Sequence, residues 1–348
     1  MTNLSIFTIA PDTPVIEAMS IIDKNAKGIA FICKANVLMA TLTDGDIRRY
    51  ILRNGSLSTP SIEIANPNFK YATEDMDHNA IEQLFRTWEV RSIPILDSDG
   101  RLLRLHFPNE GIPMPPKAID TPVVIMAGGI GTRLYPYTKV LPKPLIPIGD
   151  LTITELIMNQ FKAFGCDSFT MIVNHKRNMI KAYFAETSLG YNVSFIDEEK
   201  PLGTGGGLKL LNGAIDRTFF LTNCDIIIFE DFEKILNYHR ASQNLLTMVC
   251  ATKQVVIPYG TVVMNEQGNI SALSEKPSYS FLTNTGLYVI EPAFLRRIPD
   301  NTFIHITDII QDCLNAGECI GVYPVSDEKW SDMGQMEEME KMKKKLGV

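Results

Sequence analysis

The stretch that decides the fold is Val123-Val-Ile-Met-Ala-Gly-Gly-Ile-Gly-Thr-Arg-Leu-Tyr-Pro136. Residues 123–127 form an apolar run with the length of a buried strand, and the glycines after it let backbone amides approach phosphate oxygens closely. Two common glycine motifs do not fit. A dinucleotide-binding fold needs a third glycine where Leu134 stands, and a P-loop needs Gly-Lys followed by Ser or Thr. The sequence predicts a buried strand that ends in an anion-binding loop carrying Arg133.

A single lysine follows ten residues after Arg133, in Leu141-Pro-Lys143-Pro-Leu145. The flanking prolines stiffen the backbone, so the lysine is held in a fixed direction. The alternative is that Arg133 and Lys143 are ordinary solvated surface charges, which is the usual situation of such residues. The two rigid turns around them favour a binding role for both cations.

Apolar segments and helical patterns alternate from residue 122 onward. Strands are predicted at 123–127, 169–174, 192–196 and 219–222, and helices at 154–164 and 179–184. Such alternation is typical of an α/β sheet with crossover helices, whose ligands lie at the carboxyl ends of the strands. The motifs of this half of the chain fall at those ends.

A carboxylate lies at a strand end that suits a divalent cation, because Asp225 ends the apolar strand Phe219-Phe-Leu-Thr-Asn-Cys-Asp225. A second carboxylate, Asp332, lies in Trp330-Ser-Asp-Met-Gly334. Mg²⁺ takes oxygen ligands and is held by one or two carboxylates together with substrate phosphates and water. The alternative for Asp225 alone is that it caps the next helix.

Composition excludes several classes of protein. The chain has 348 residues and a formal net charge of −7, which argues against a nucleic-acid partner. Six scattered cysteines and five histidines form no zinc-ligand pattern, as in a reducing cytoplasm. No secretion signal and no apolar run of about 18 residues is present. We expect a cytoplasmic protein that is neither exported nor embedded in a membrane.

The first third of the chain contains a weak internal repeat. A helix pattern, an apolar strand, a turn and a second strand occur twice, and Gly111-Ile-Pro-Met-Pro-Pro-Lys117 then interrupts all periodicity. The predicted domains are a repeat module at 1–112, a proline-rich linker at 113–120 and a larger domain at 121–348.

The repeat pair resembles a tandem CBS module of α+β structure, most closely in Leu42-Thr-Asp-Gly-Asp-Ile47. The resemblance implies that Thr43 and Asp46 hold an adenosine nucleotide that regulates the protein, and that the chain forms a homo-oligomer. The alternative is that Thr43 merely caps the helix that follows. The second copy lacks the TxxD pattern, so at most one cleft is expected to bind a nucleotide.

The larger domain resembles the sugar-1-phosphate nucleotidylyltransferases through their signature GxGTRLxPxTxxxPKPL. The matching residues are Gly129, Gly131, Thr132, Arg133, Leu134, Pro136, Thr138, Pro142, Lys143, Pro144 and Leu145. The resemblance covers 121–348 and implies a Rossmann-like mixed sheet of the GT-A-like kind. It implies that Arg133 and Lys143 act on phosphates and that Asp225 and Asp332 bind Mg²⁺.

Further segments of the same family carry the binding residues that the resemblance implies. The nucleotide is expected at two glycine-rich loops, through Ala127, Gly128, Gly129, Gly131, Thr132, Leu202, Gly203 and Thr204. The sugar phosphate is expected at the Tyr-Gly-Thr, Glu-Lys-Pro and Asn-Thr-Gly segments, through Gly260, Glu275, Lys276, Asn284 and Thr285. The usual Pro-Ile-Leu-Glu run is replaced by Thr152-Ile-Thr-Glu155, where we expect Thr154 to cap the helix.

The implied reaction joins a nucleoside triphosphate to a sugar-1-phosphate and releases pyrophosphate. A CBS pair ahead of such a domain resembles the guanylyltransferases of bacterial legionaminic acid synthesis, which implies GTP and glucosamine-1-phosphate. Mannose- or glucose-1-phosphate and a uridine, thymidine or cytidine nucleotide would use the same framework, so they stay open. A non-catalytic nucleotide-sensing module is the remaining alternative, and the intact charged residues argue against it.

Overall fold

The computed structural model describes residues 4–88, 90, 92–107, 118–187, 190, 192–334 and 336–346. Residues 113–117 of the predicted linker lie outside the described residues. Contacts divide the chain into two compact units. Unit 1 comprises Met1–Pro113 and Thr252–Leu282, and unit 2 comprises Met114–Ala251 and Thr283–Val348. The linear boundaries predicted at 112 and 121 stay a prediction.

The first part of unit 1 contains six strands and three α-helices in its described residues. They are β1 Thr8–Ile9, α1 Val15–Asn25, β2 Ile29–Lys34, β3 Val37–Thr43, α2 Asp44–Ile51, β4 Ala72–Thr73, α3 His78–Trp88, β5 Ile93–Leu96 and β6 Leu102–His106.

The two repeats of unit 1 have the same sheet topology, which confirms the predicted internal repeat. In each three-stranded sheet the first strand pairs parallel with the second, and the second pairs antiparallel with the third. The hairpin turns of the two repeats bond to each other. The Leu38 N–H donates to Gly100 O at 3.0 Å, and the Leu102 N–H donates to Asn36 O at 2.9 Å.

Helix α1 packs on its own repeat and also contacts the distant segment of unit 1. Its apolar stripe of Val15, Ala18, Met19 and Ile22 is buried, as the spacing of three and four residues predicts. The Thr252 hydroxyl, buried like Met19, lies 3.8 Å from the Met19 sulfur. Thr252 thus contacts helix α1, which agrees with the grouping of 252–282 and the first segment in one unit.

The remaining elements follow from residue 118. They are β7 Val123–Met126, α4 Tyr137–Val140, β8 Pro147–Ile148, β9 Leu151–Thr152, α5 Ile153–Lys162, β10 Ser168–Val173, α6 Arg177–Glu186, β11 Asn192–Asp197, α7 Gly203–Gly206, β12 Phe219–Asn223, β13 Ile226–Ile228, α8 Phe232–Ala241, β14 Leu246–Val256, β15 Thr261–Met264, β16 Ile270–Ser274, β17 Ser278–Ile290, α9 Ile306–Asn315, β18 Ile320–Ser326, β19 Trp330–Asp332 and α10 Met336–Leu346.

A seven-stranded mixed sheet in the order β11-β10-β7-β12-β17-β14-β18 forms the centre of unit 2, and β14 and β17 continue beyond the unit's limits at 251 and 283. The strands β11, β10, β7 and β12 are mutually parallel, and β17 pairs antiparallel with β12. The parallel strands end at one edge of the sheet, where α/β folds bind their ligands. The predicted α/β class with a mixed sheet is confirmed.

Strand β7 lies near the middle of the sheet because both of its faces are apolar. Val123 and Ile125 belong to one buried cluster and Val124 belongs to the cluster on the opposite face, all with no exposed surface. A continuous apolar run is what a parallel strand covered on both faces requires. No helix within the described part of the chain is long and apolar enough to cross a bilayer.

Helix α5 begins earlier than the sequence predicts. Thr152, not Thr154, is its N-cap: the Thr152 hydroxyl accepts from the Glu155 N–H at 3.2 Å, and the Glu155 carboxylate accepts from the Thr152 N–H at 2.7 Å. This reciprocal pair satisfies two donors that the helix leaves open. Thr154 is buried instead, and its hydroxyl donates to Pro144 O at 2.9 Å. The expected cap at Thr154 is wrong.

Candidate functional site

A cavity of about 270 Å³ opens at the carboxyl end of β12, within unit 2. Its walls combine one arginine and two carboxylates with neutral polar groups and two aromatic side chains. The lining residues of these kinds are Arg133, Asp225, Asp332, Thr204, Asn223, Asn284, Thr285, Thr307, Tyr288 and Trp330. The cavity can therefore take a ligand that carries both charge and hydroxyl groups.

The pairing of β13 with β19 brings the two predicted metal ligands together. Ile226 lies opposite Asp332 in the antiparallel register, so Asp225 and Asp332 lie side by side although 107 positions separate them. The Met333 N–H donates to Asp225 O at 2.7 Å and continues the ladder. The β13–β19 ribbon thus brings both carboxylates to the cavity at the carboxyl end of β12.

Both predicted cations reach these carboxylates. Lys143 forms an ion pair with Asp225. Arg133 lies 3.8 Å from Asp225 Oδ2 through Nη2 and 3.7 Å from Asp332 Oδ2 through Nη1. Lys143 is only 11% exposed and Asp225 only 7%, whereas Arg133 is 59% exposed. The alternative of a solvated surface charge is therefore wrong for Lys143, whereas Arg133 is a largely exposed cation beside the carboxylates.

The alternative that Asp225 caps the next helix is also wrong. Asp225 is followed by strand β13, and Asp231 caps helix α8 by accepting from the Lys234 N–H at 3.2 Å. The neighbouring Cys224 is fully buried, and burial together with the charge of Asp225 raises the pKa of its thiol to about 12. Cys224 is thus a neutral thiol, so it is not poised to act as a nucleophile.

The two carboxylates fit a small divalent cation. A Cβ added to Gly334 would lie 2.8 Å from Asp225 Oδ2 and 2.8 Å from Asp332 Oδ1, so glycine leaves space between oxygens that face a common point. The described residues contain no cluster of three or more His, Cys, Asp or Glu side chains. Two carboxylates with room for water and phosphate suit Mg²⁺ rather than a metal that needs a full protein cage.

The first glycine-rich loop leaves β7 beside this charged group. The buried Ala127 donates its N–H to Ile172 O at 2.8 Å, which fixes the start of the loop. A Cβ on Gly129 would meet no atom within 4 Å, whereas Gly131 has φ of 72° and lies against Thr138 and Lys143. Gly128 lies against Asn174, and Arg133 is the predicted loop residue that reaches the carboxylates. A nucleotide-binding role for Gly128 and Thr132 stays a prediction.

The second glycine-rich loop packs tightly on the chain before α9. Gly203 has φ of 78°, and a Cβ there would lie 2.6 Å from Ile304 O. Leu202 O accepts from the Ile304 N–H at 3.0 Å, and the Thr204 hydroxyl accepts from the Ile306 N–H at 3.2 Å. Thr204 lines the cavity. The glycines of this loop thus serve close backbone packing, and Thr204 reaches the site.

Glu198 was not predicted, and it lies between the two glycine-rich loops at the end of β11. It is 5% exposed, and Oε1 has no hydrogen-bond partner among the described residues. A Cβ on Gly128 would lie 2.9 Å from Glu198 Oε2, and Gly207 likewise leaves no room for a side chain against Oε1. Burial raises the pKa of Glu198, and the Leu202 N–H opposes that shift.

The predicted sugar-binding residues fall into two groups. Asn284 and Thr285 line the cavity; Asn284 Nδ2 donates to the Tyr288 hydroxyl at 2.6 Å, and Thr285 donates to Val249 O at 2.7 Å. Burial raises the pKa of Tyr288 to about 12, so its hydroxyl stays neutral.

The other group, Gly260, Glu275 and Lys276, belongs to the hairpin segment of unit 1. A Cβ on Gly260 would lie 2.9 Å from Glu275 Oε2, so these two residues face each other, and Lys276 has φ of 46° at the next position. Their sugar-binding role stays a prediction.

Thr43 and Asp46 of unit 1 are bonded to each other. The Asp46 N–H donates to the Thr43 hydroxyl at 3.2 Å, the Thr43 N–H donates to Asp46 Oδ2 at 2.9 Å, and the Thr43 hydroxyl donates to the same oxygen at 2.6 Å. This is a capping box at the start of α2. The expected cap is confirmed, and a nucleotide role for these side chains stays a prediction.

Some cavity residues were not named as binding residues from the sequence. Asn223, Tyr288 and Trp330 line the cavity and stand in segments that the sequence singled out for a neighbouring residue, whereas Thr307 stands in none of them. Glu198 was missed too, outside the cavity lining. Glu198 directly follows the last residue of a parallel strand, and that position was the available clue, because strand ends of this edge face the ligand.

A central parallel strand, a glycine-rich loop at its end and two cations beside two carboxylates are features of α/β domains that bind phosphate groups. The chain belongs to the nucleotidyl transferase family: the family profile described as "Nucleotidyl transferase" matches residues 122–347, and the CBS domain profile matches residues 1–53.

The curated relatives of the larger domain are named for different nucleotides and sugars. The mannose-1-phosphate guanylyltransferase of Mycobacterium tuberculosis is 29% identical over 220 residues, which are 62% of this chain and 61% of that protein. The UTP-glucose-1-phosphate uridylyltransferase of Synechocystis is 29% identical over 234 residues, which are 61% and 60% of the two chains. The chain thus spans about three fifths of the length of these relatives.

Solved structures share the fold. HddC from Yersinia pseudotuberculosis superposes with a TM-score of 0.52 at 21% identity, covering 65% of this chain and 99% of that chain. The same protein complexed with GMP-PN gives a TM-score of 0.51 with the same identity and coverage. At this identity the likeness shows the fold of the larger domain.

Proposed function

We propose that this protein transfers a nucleotidyl group from a nucleoside triphosphate to a sugar-1-phosphate and releases pyrophosphate. The observation that carries the proposal is the meeting of Arg133 and Lys143 with Asp225 and Asp332 beside the first glycine-rich loop. Phosphoryl-type transfer requires little covalent chemistry from a protein, and positioned charges supply most of the rate.

In the proposed reaction an oxygen of the sugar phosphate attacks the α-phosphorus in line. A phosphorus–oxygen bond forms to the sugar phosphate, and the bond to the bridging oxygen breaks, so its electron pair leaves with pyrophosphate. Arg133 and the amides of the 128–132 loop would receive the pyrophosphate oxygens, and Lys143 would offset charge at the α-phosphate. Mg²⁺ held by Asp225 and Asp332 would supply further charge neutralisation when bound.

Glu198 supports guanine as the base. Its buried carboxylate lies against Gly128 of the first glycine-rich loop and has an oxygen without a protein partner among the described residues. A carboxylate only accepts hydrogen bonds when ionised, and guanine alone presents two adjacent donors, N1–H and N2–H₂, on its pairing edge. Uracil and thymine present one donor between two carbonyl oxygens, which a carboxylate repels. The GMP-PN complex of HddC agrees with this choice.

For the sugar, glucosamine-1-phosphate is the first candidate, because the larger domain follows a CBS module. Mannose-1-phosphate is the second candidate, since several relatives are named mannose-1-phosphate guanylyltransferases. Neutral polar groups at the cavity wall, Asn284 and Thr285, suit hydroxyl-rich ligands of either kind.

Pyrophosphate release tests the proposal. ATP, GTP, CTP, UTP and dTTP are each combined with glucosamine-, N-acetylglucosamine-, glucose- and mannose-1-phosphate in the presence of Mg²⁺. We expect turnover with GTP and glucosamine-1-phosphate. Another productive pair would retain the reaction and correct the substrate, and a complete absence of release would favour the nucleotide-sensing alternative.

A second proposal concerns Thr43 and Asp46, where an adenosine nucleotide would regulate catalysis. A ligand phosphate would have to replace the bonds that these side chains make to each other. Titration with AMP or ATP should change the kinetics or the oligomeric state of the whole chain. If millimolar ligand leaves both unchanged, the module has no regulatory role of this kind.

A further inference from the structure

Lys176 reaches from the end of β10 to helix α4 and ends among backbone carbonyls. Its Nζ lies 3.0 Å from Thr138 O, 2.7 Å from Lys139 O and 3.0 Å from Val140 O. These carbonyls belong to the last residues of α4, where the helix itself supplies no partner. An ammonium group carries three N–H donors, so one side chain satisfies all three carbonyls and keeps no donor for a phosphate.

Helix α4 is the middle of a segment, residues 131–143, that carries both cations of the site. Thr138 Oγ1 donates to Gly131 O at 2.9 Å, which ties the helix to the glycine-rich loop. A Cβ on Gly131 would lie 3.1 Å from Lys143 Cβ, so the two ends of the segment touch. The segment is therefore a closed turn, and Lys176 is the side chain that anchors its far side.

The backbone of Lys176 adopts a conformation that is unfavourable for lysine. Its φ is 52° and its ψ is 32°, a left-handed conformation at the N-terminus of α6. Glycine or asparagine adopts this conformation at lower cost. A lysine kept there in a strained conformation is consistent with a role for its side chain.

We infer that Lys176 is a positioning residue: it fixes segment 131–143, and so sets where Arg133 and Lys143 lie relative to Asp225. The inference deepens the proposed function, on which it rests. The ammonium acts through backbone carbonyls and the two cations, and it does not touch the reacting phosphates.

Replacing Lys176 by methionine keeps the length of the side chain and removes the ammonium. We expect kcat for pyrophosphate release to fall roughly ten- to hundredfold, because small displacements of catalytic groups have effects of that size. KM for the sugar-1-phosphate should stay within about twofold, since Asn284 and Thr285 are held by Tyr288 and Val249 instead. Amide hydrogen exchange of peptides covering 131–143 should rise.

Lys181→Met is the matched control, because Lys181 lies on the same helix and pairs with Asp197 at 2.7 Å. It should leave kcat and the exchange of 131–143 at the wild-type level. Thr138→Val breaks the bond to Gly131, so its effect on kcat should be less than multiplicative with that of Lys176→Met.

Two outcomes would overturn the inference: wild-type kcat and exchange in Lys176→Met, or an equal effect of Lys181→Met. The proposed function fails separately, if the wild-type chain releases no pyrophosphate with any substrate pair. In that case the exchange of residues 131–143 still decides whether Lys176 fixes the segment.

Discussion

Asp225 is the residue on which the two cations of the site converge, since Lys143 pairs with it and Arg133 lies 3.8 Å away. Asp225→Asn keeps the size of the side chain and removes its charge. We expect turnover to fall by about a thousandfold or more, because without the charge of Asp225 the side chains of Arg133 and Lys143, and any bound metal ion, would be misplaced. Pyrophosphate release measures turnover, and circular dichroism checks that the fold is retained.

Asp216→Asn is the control for this prediction, since Asp216 is an exposed carboxylate of the same unit. It should leave the rate unchanged. Near-normal turnover in Asp225→Asn would remove Asp225 from the catalytic group.

We expect Glu198 to lower the stability of the ligand-free protein and to raise the selectivity for GTP. Burial raises the pKa of Glu198 in the folded protein above its ordinary value of 4.5. The stability that the side chain contributes is therefore complete below about pH 4.5 and is lost as the pH rises through the folded pKa. Glu198→Gln should therefore stabilise the ligand-free protein at neutral pH and flatten this part of its pH dependence. It should also reduce the preference for GTP over UTP by about tenfold or more, because glutamine can both donate and accept.

Melting temperatures between pH 4 and 8 and the ratio of kcat/KM for GTP and UTP measure the two effects. An unchanged ratio would mean that Glu198 does not read the base.

The roles of residues flanked by glycine and proline could be predicted from the sequence. The roles of residues that depend on burial in the folded protein could not. Arg133 and Lys143 stand between glycines and prolines that leave few conformations, so a binding role for both followed from the pattern. Glu198 and Lys176 stand in ordinary contexts. Their roles depend on an unpartnered buried oxygen and on three carbonyls supplied from residues 138–140.

At the scale of elements, the β13–β19 ribbon depends on a glycine at its end. A Cβ on Gly334 would meet an oxygen of Asp225 and of Asp332 at 2.8 Å and Arg133 Nη2 at 3.0 Å. Gly334→Ala should therefore push the charged groups apart and lower kcat roughly tenfold or more, with little effect on the melting temperature.

Gly45→Ala in helix α2 is the control, because the nearest atom to its Cβ is the far end of Arg49, at 3.3 Å. In steady-state kinetics, kcat should fall in Gly334→Ala and should stay at the wild-type level in Gly45→Ala. Equal rates for Gly334→Ala and the wild type would show that the spacing of the carboxylates is not critical.

Element positions in the parallel half of the sheet were predicted to within one or two residues, because apolar runs there are covered on both faces. Strand β10, predicted at 169–174, runs Ser168–Val173, and β12, predicted at 219–222, runs Phe219–Asn223. The cap of α5 was misplaced because three consecutive positions, Thr152 to Thr154, offered two possible caps. The ribbon that unites Asp225 and Asp332 joins distant segments of three residues each, too short for a periodic signal.

At the scale of the whole molecule, the contact between α1 and residue 252 should be visible in solution. Met19→Ala removes the sulfur that lies 3.8 Å from the Thr252 hydroxyl. We expect amide hydrogen exchange of peptides covering 252–256 to rise, because the packing over the start of this segment is lost. Met39→Ala, at a 40% exposed position of the same module, is the control.

If exchange of 252–256 is the same in Met19→Ala, Met39→Ala and the wild type, the α1 contact does not hold this segment. A rise confined to Met19→Ala would support it.

The division of the chain into units has a consequence for its genetics. The polypeptide passes from one unit to the other at 113/114, at 251/252 and again at 282/283, so neither unit is encoded by one uninterrupted stretch. A single recombination event at the N-terminal boundary would transplant the first 113 residues without the hairpin segment that clusters with them. Exchange of the N-terminal module between related genes would then yield mismatched packing at Thr252, and functional chimaeras should require the hairpin to be inherited together with the module.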